Sequence, residues 1–335
     1  MRHSLLLLTL LASSLWAQES ATKYLPEVHG TLRSKYEYQT SIGAGRFEVR
    51  NARVSLSGHV LPTVSYKAEI DLSDEGEIKM KDAYARINPW QGVALTAGQM
   101  RVPFTIDAHR SPHRQYFANR SFIAKQVANI RDVGLSLRYQ CQPSFPLILE
   151  AGLFNGSGVS RQEEWRKSPS YSAKAQLFPL PGWNVTLSLL TIKPQQVAIH
   201  SYDVGTYVEA HGLHLEGEYL YKRYSDGAYH DVHAVNSMAN YDIRLRRSPF
   251  QKMSLLMRYD WMTSQSDGKL RDEESQALIT TDHARHRLTG GLTLSLGEAF
   301  RTDLRLNYEK YFYGHGAVAK VSEQDKVVVE LMVRF

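Results

Sequence analysis

Apolar side chains recur at every second position through most of this chain, in segments about ten residues long. Over 62–73, Val64, Tyr66, Ala68, Ile70 and Leu72 alternate with Ser65, Lys67, Glu69 and Asp71. Val133, Leu135, Leu137 and Tyr139 oppose Asp132, Ser136 and Arg138. Leu304, Leu306 and Tyr308 oppose Asp303, Arg305 and Glu309. Successive side chains point to opposite faces of a strand, so each segment reads as a strand with one apolar and one charged face. The pattern predicts sixteen strands: 28–39, 46–58, 62–73, 77–88, 92–101, 131–140, 146–154, 169–178, 183–191, 202–210, 213–223, 238–247, 252–261, 284–296, 300–310 and 326–335. In 46–58 the apolar phase slips between Val49 and Ala52, and in 77–88 between Met80 and Ala83, which predicts bulges near Arg50 and Asp82.

The two ends of the chain suggest where such a sheet resides. Val327, Val329, Leu331, Val333 and Phe335 share one face of the last segment, opposite Lys326, Glu330 and Arg334. A closing strand with an aromatic last residue is expected of an outer-membrane barrel, where the aromatic sits at the lipid interface. Arg2 followed by Leu5–Leu11 and small residues to Ala17 predicts a cleaved signal peptide over 1–17. Residues 18–335 are then one barrel domain, with no linker, second domain or repeat beyond the hairpin.

Composition agrees. No later window approaches the roughly 20 apolar residues that a helical span needs, and mean hydropathy is −0.37. A chain of this kind can cross a bilayer only as a closed barrel, with charged faces inward. The 19 tyrosines, 11 phenylalanines and 5 tryptophans suit interfacial girdles. Cys141 is the only cysteine, so there is no internal disulfide, and it reads as a small strand-end residue rather than a nucleophile. The connections alternate between tight Pro- or Gly-containing turns, such as Asn88-Pro89-Trp90 and His211-Gly212, and longer loops. That asymmetry is expected of short periplasmic turns and longer extracellular loops, with 224–237 and the Asp272-Glu273-Glu274 stretch read as solvated loops.

Segment 102–130, the third loop, is the longest stretch without alternation. It carries Pro103, Phe104, Tyr116, Phe117 and Phe122, too aromatic for a floppy loop. Its charges are lopsided: Arg110, Arg114, Arg120 and Lys125 against Asp107, with Arg101 and Arg131 at its ends. Folded into a sixteen-strand lumen, it would form a basic constriction. Arginine suits a passing oxyanion because it stays charged and offers a planar fork of donors. Inward Arg53, Lys79, Lys81, Arg138, Lys174, Arg244, Arg246 and Arg258 would extend the path.

Five motifs in order resemble the phosphate-selective porin O and P family. They are Arg46-Phe47-Glu48-Val49-Arg50-Asn51-Ala52-Arg53, Lys81-Asp82-Ala83-Tyr84, Gly98-Gln99-Met100-Arg101-Val102-Pro103-Phe104, Asn119-Arg120-Ser121 and Arg131-Asp132-Val133-Gly134. The resemblance covers about 46–140 and implies a sixteen-stranded, trimeric outer-membrane porin with an arginine-rich third loop and anion preference. It carries over Arg50, Arg53, Asp82, Arg101, Arg120 and Arg131 as motif positions, with Asp82 and Asp132 alternatively holding loop or register by pairing with arginines. The expected partners are small anions, phosphate among them, and outer-membrane lipid in a Gram-negative bacterium. No cofactor, metal or nucleic acid is expected. The anion-pathway candidates are Arg50, Arg53, Arg101, Arg110, Arg114, Arg120, Lys125 and Arg131. The alternatives are an adhesin or structural barrel and, less well supported, a barrel enzyme. No nucleophile elbow is present, and the histidine pairs 211/214, 230/233 and 283/286 would fall on opposite strand faces.

Overall fold

The computed structural model describes residues 24–335 except 129, 142–145, 161, 195–196, 247–248 and 298–300. The expected signal peptide lies outside the described residues. Sixteen strands close into one antiparallel barrel in which each pairs with its sequence neighbours and the last returns to the first. They are β1 (Glu27–Gln39), β2 (Ala44–Leu61), β3 (Val64–Asp74), β4 (Glu77–Ile87), β5 (Val93–Arg101), β6 (Arg131–Gln140), β7 (Leu147–Phe154) and β8 (Ser170–Leu180). The second half comprises β9 (Trp183–Ile192), β10 (Ile199–Ala210), β11 (Leu213–Tyr224), β12 (Val232–Arg244), β13 (Lys252–Met262), β14 (Arg285–Leu296), β15 (Thr302–Tyr313) and β16 (Lys326–Arg334). Closure leaves no unpaired edge, the condition for strands to cross hydrocarbon.

The period-two pattern sorts as lipid-facing and lumen-facing rows. Leu135, Leu137, Leu215, Leu304, Leu306 and Leu331 are exposed on the outer surface, whereas Arg33, Glu309, Arg305 and Glu330 are buried within. Both phase slips are bulges. Arg33 pairs with Asn51 and Ser34 with Val49, leaving Arg50 as the extra residue of β2. Glu69 pairs with Asp82 and Ile70 with Met80, leaving Lys81 as the extra residue of β4. Each bulge re-aims a basic side chain without moving the outward apolar row.

At the seam, Lys35 of β1 lies opposite Glu330 of β16, and Gly30 exchanges backbone hydrogen bonds with Phe335 at 2.8 and 3.1 Å. The Phe335 ring covers Gly30, occupying the space a Cβ would need. A side chain at position 30 would therefore displace the terminal aromatic.

One prediction requires correction. The solvated loop expected over 224–237 is much shorter, because β11 continues to Tyr224 and β12 begins at Val232. Val232 and Ala234 point inward and are fully buried, which inverts the apolar-out rule locally. β10 likewise begins at Ile199, inward and 1% exposed, rather than at 202. The reason is an apolar cluster inside the barrel that those residues join.

A basic constriction across the lumen

Segment 102–130 folds into the lumen and is fastened to walls far from its own strands. It contains 3-10 turns at Asp107–His109 and Pro112–Arg114 and a π-helical turn at Ile123–Ala128. One face is apolar: Val102, Phe104, Phe122, Ile123, Ala124 and Val127 pack with Leu190, Ile199, Leu220, Val232, Ala234, Met262 and Tyr311 of β9–β13 and β15. The Phe122 ring lies between the guanidiniums of Arg285 and Arg287, at 4.4 and 4.6 Å. On that side protein fills the lumen.

Polar bonds complete the attachment. Thr105 N–H donates to Ser188 Oγ (3.0 Å), and Lys174 Nζ donates to the Thr105 carbonyl (2.5 Å). Ile106 N–H donates to Glu218, and Gly205 on the wall leaves room for the Ile106 side chain, 2.7 Å from where a Cβ would stand. Arg110 forms a bidentate ion pair with Glu216, while Ala118 N–H donates to Asn307 Oδ1 (2.8 Å). Arg287 and Arg258 donate to the carbonyls of Arg120 (2.7 Å) and Asn119 (2.9 Å). A loop held this way is a fixed partition rather than a flap.

The partition leaves two chambers. The one toward the long loops, about 440 Å³, lies between the loop's polar face and β1–β4. Ten cations line it: Arg33, Lys35, Arg46, Arg50, Arg53, Lys81, Arg120, Lys125, Arg287 and Lys326, against Glu37, Asp74 and Glu75. Most are tied to carboxylates in the wall. Arg53 pairs with Asp71 (2.8 Å) and Glu69 (3.1 Å), Arg50 with Asp74 (2.9 Å), and Lys125 with Glu323 (3.2 Å). Arg33 pairs with Glu330 (2.6 Å) and also donates to Gln115 and the Ala118 carbonyl.

Arg120 differs. Its two terminal nitrogens donate at 2.7 Å to the carbonyls of Asp107 and Arg110. Among the described residues it is the one lining cation of this chamber with no carboxylate at ion-pair distance. Asp107 nearby is turned to Ser121, donor of both its N–H (3.2 Å) and its Oγ–H (2.9 Å). Burial raises the Asp107 pKa, but Arg120 and Arg110 outweigh that and hold it at about 2.

The other chamber, about 800 Å³, opens at the short-turn end. Arg114 projects into it, together with Arg110, His113, Lys174 and Arg334. Burial, with Arg334 and Arg114 facing it, lowers the His113 pKa to about 4, so its imidazole is neutral at pH 7.

The remaining candidates lie behind the chambers. Arg101 donates to the carbonyls of Ala108 (2.7 Å) and Arg110 (3.1 Å), so it grips the same turn as Arg120. Arg131 pairs with Asp82 (2.8 Å), which also accepts from Lys67 (2.9 Å), a cross-strand link at the root of the loop. Asp132 accepts backbone N–H groups of Val133 (2.8 Å) and Gly156 (2.7 Å), with the Arg166 charge acting on it but no arginine at ion-pair distance among the described residues. Of the inward extension, Lys81 and Arg53 line the outer chamber and Lys174 the inner one. Arg244 and Arg246 are exposed at the short-turn end. The sequence reading missed Arg33, Lys35, Arg287 and Lys326. Their signal lies in the sequence as inward positions alternating with Leu32, Tyr36 and Val327.

A closed sixteen-strand barrel with apolar rows outward, a charged lumen and an inward loop defines an outer-membrane porin. The family model for phosphate-selective porin O and P matches residues 28–180. The match spans less than half of the chain and contains all five ordered motifs, so the similarity to that family lies in the first half of the barrel. No curated protein matches the chain. Among solved structures, it is similar to an anion-selective porin from Comamonas acidovorans, with TM-score 0.65, 10% identity, and 93% of this chain and 100% of that one covered. OmpT of Vibrio cholerae in its trimer form gives TM-score 0.64 at 10% identity, covering 93% and 99%. OprB of Pseudomonas putida gives 0.63 at 11% identity, covering 95% and 96%. At these identities the likeness is one of fold.

Proposed function

We propose that this outer-membrane channel prefers small anions and that Arg120 is its decisive residue. The observation that carries this reading is the loop-end chamber, where ten cations face three carboxylates and one guanidinium lacks an acidic partner. A low-dielectric wall focuses the field of lining charges along the lumen. Paired cations contribute weakly to that field because their carboxylates cancel it a few ångströms away. A guanidinium with no carboxylate beside it keeps its charge for a passing oxyanion. Inorganic phosphate is the first solute to test, since the family description names it.

The test is the reversal potential of purified protein in a planar bilayer under a salt gradient. Anion preference is expected; cation preference or silence would overturn the reading. Arg120→Gln should lower the preference, and phosphate should block chloride current in the parent more than in the variant. The channel is further proposed to be a homotrimer, as the V. cholerae OmpT structure is. The outward face of β3–β5 sets alanines side by side, with Ala68 opposite Ala83 and Ala85 opposite Ala97. Light crosslinking in detergent should give a species of three chains; monomer alone would overturn that part.

A further inference from the structure

The chamber at the short-turn end contains something that passage of a small inorganic anion does not require. His214 stacks with two tyrosine rings, Tyr116 at 4.8 Å and 29° and Tyr207 at 5.4 Å and 25°. Arg110 lies over the Tyr116 ring, 5.1 Å from its centroid. The result is a column of planar groups, Arg110, Tyr116, His214 and Tyr207, built from the third loop, β11 and β10. His214 is fixed by Glu209 (2.8 Å) and Glu216 (3.1 Å), so the column has a set orientation.

Fastening the loop accounts for Tyr116, which lies on the loop itself. It does not account for Tyr207, which stacks on His214 from the barrel wall and is partly exposed to the chamber. Arg114 and Arg334 line the same space, and neither has a carboxylate at ion-pair distance among the described residues. Glu209, the acid lining the chamber, is turned to His214. The space, about 800 Å³, is nearly twice that of the loop-end chamber. A partly exposed ring in a stack beside guanidiniums without carboxylate partners offers a π-face and a charge partner to one molecule.

We infer that this inner chamber is a transient subsite for planar aromatic anions, such as aryl carboxylates, which stack on Tyr207 while Arg114 and Arg334 hold the anionic group. The inference rests on the anion-porin reading and adds a solute class to it. The experiment compares benzoate with cyclohexanecarboxylate, equal in charge and similar in size, as blockers of chloride current through the bilayer-reconstituted channel. Benzoate should half-block at roughly a three- to tenfold lower concentration, the range expected of one aromatic stacking contact. In Tyr207→Leu, with block normalised to the variant's own chloride current, that ratio should fall toward one. Equal block by the two acids in the parent would overturn the inference and leave the anion-porin reading intact. A ratio unchanged in both Tyr207→Leu and Tyr116→Leu would place any aromatic preference elsewhere and also overturn it. Cation preference in the salt gradient would instead defeat the porin reading itself. The parent comparison needs no variant, so a misfolded substitution does not obscure the outcome.

Discussion

Glu330 is fully buried between Arg33 and Arg305, at 2.6 and 2.8 Å, on the inner face of the closing strand. Its carboxylate is the shared acceptor that lets two guanidiniums approach each other across the seam. Replacing it by alanine leaves Arg33 buried without a carboxylate and Arg305 with Asp303 alone (3.1 Å), a change that costs about 3–5 kcal/mol. Arg46 also forms ion pairs, with Glu37 (2.8 Å) and Glu48 (3.0 Å), but its side chain is 59% exposed at the rim. Solvent screening reduces such a pair to less than about 1 kcal/mol. Glu330→Ala should therefore markedly lower the temperature at which the folded barrel converts to its unfolded, slower-migrating form on an SDS gel. Arg46→Ala should leave that temperature nearly unchanged. Equal shifts would mean that burial does not decide the worth of ion pairs in this lumen.

At the scale of the element, the third loop and the strands it touches share one logic. The loop's apolar face is satisfied only because the inner walls of β10–β12 and β15 present Ile199, Leu220, Val232, Ala234 and Tyr311 instead of charges. This is why alternation located all sixteen strands yet missed the starts of β10 and β12. A rule that expects polar residues inside cannot recognise an inward valine whose neighbour comes from a loop a hundred residues away. The bulges at Arg50 and Lys81 were legible because they break a periodicity that is otherwise local. The loop's basic character was legible for the same local reason. Which arginine of the loop-end chamber lacks a carboxylate was not, because that depends on acids contributed by β1–β4 and β13–β16. Phe122→Ala tests the attachment. Removing a buried ring between two guanidiniums costs about 3–5 kcal/mol in a packed core. The loop should loosen from the wall, giving larger and noisier single-channel steps; unchanged steps would mean that the polar bonds alone hold it.

On the scale of the whole molecule, selectivity has two physical sources that ionic strength separates. The summed field of the lumen acts over a Debye length, about 10 Å at 0.1 M salt and about 3 Å at 1 M. Nine of the ten cations lining the loop-end chamber are paired to carboxylates, so their contribution is a diffuse residual field that salt removes. Arg120 acts by contact, on an anion that has already entered the narrow part, and salt screens contact much less. The parent channel should therefore keep part of its anion preference at 1 M, whereas Arg120→Gln should lose a larger fraction at 1 M than at 0.1 M, keeping there what Arg114 and Arg334 supply by contact. Reversal potentials measured at both mean concentrations with the same gradient ratio give the comparison directly. If the variant instead lost the same fraction at both concentrations, Arg120 would be one more member of the diffuse field. Selectivity would then belong to the ladder of paired charges as a whole, and no single substitution in the loop could abolish it.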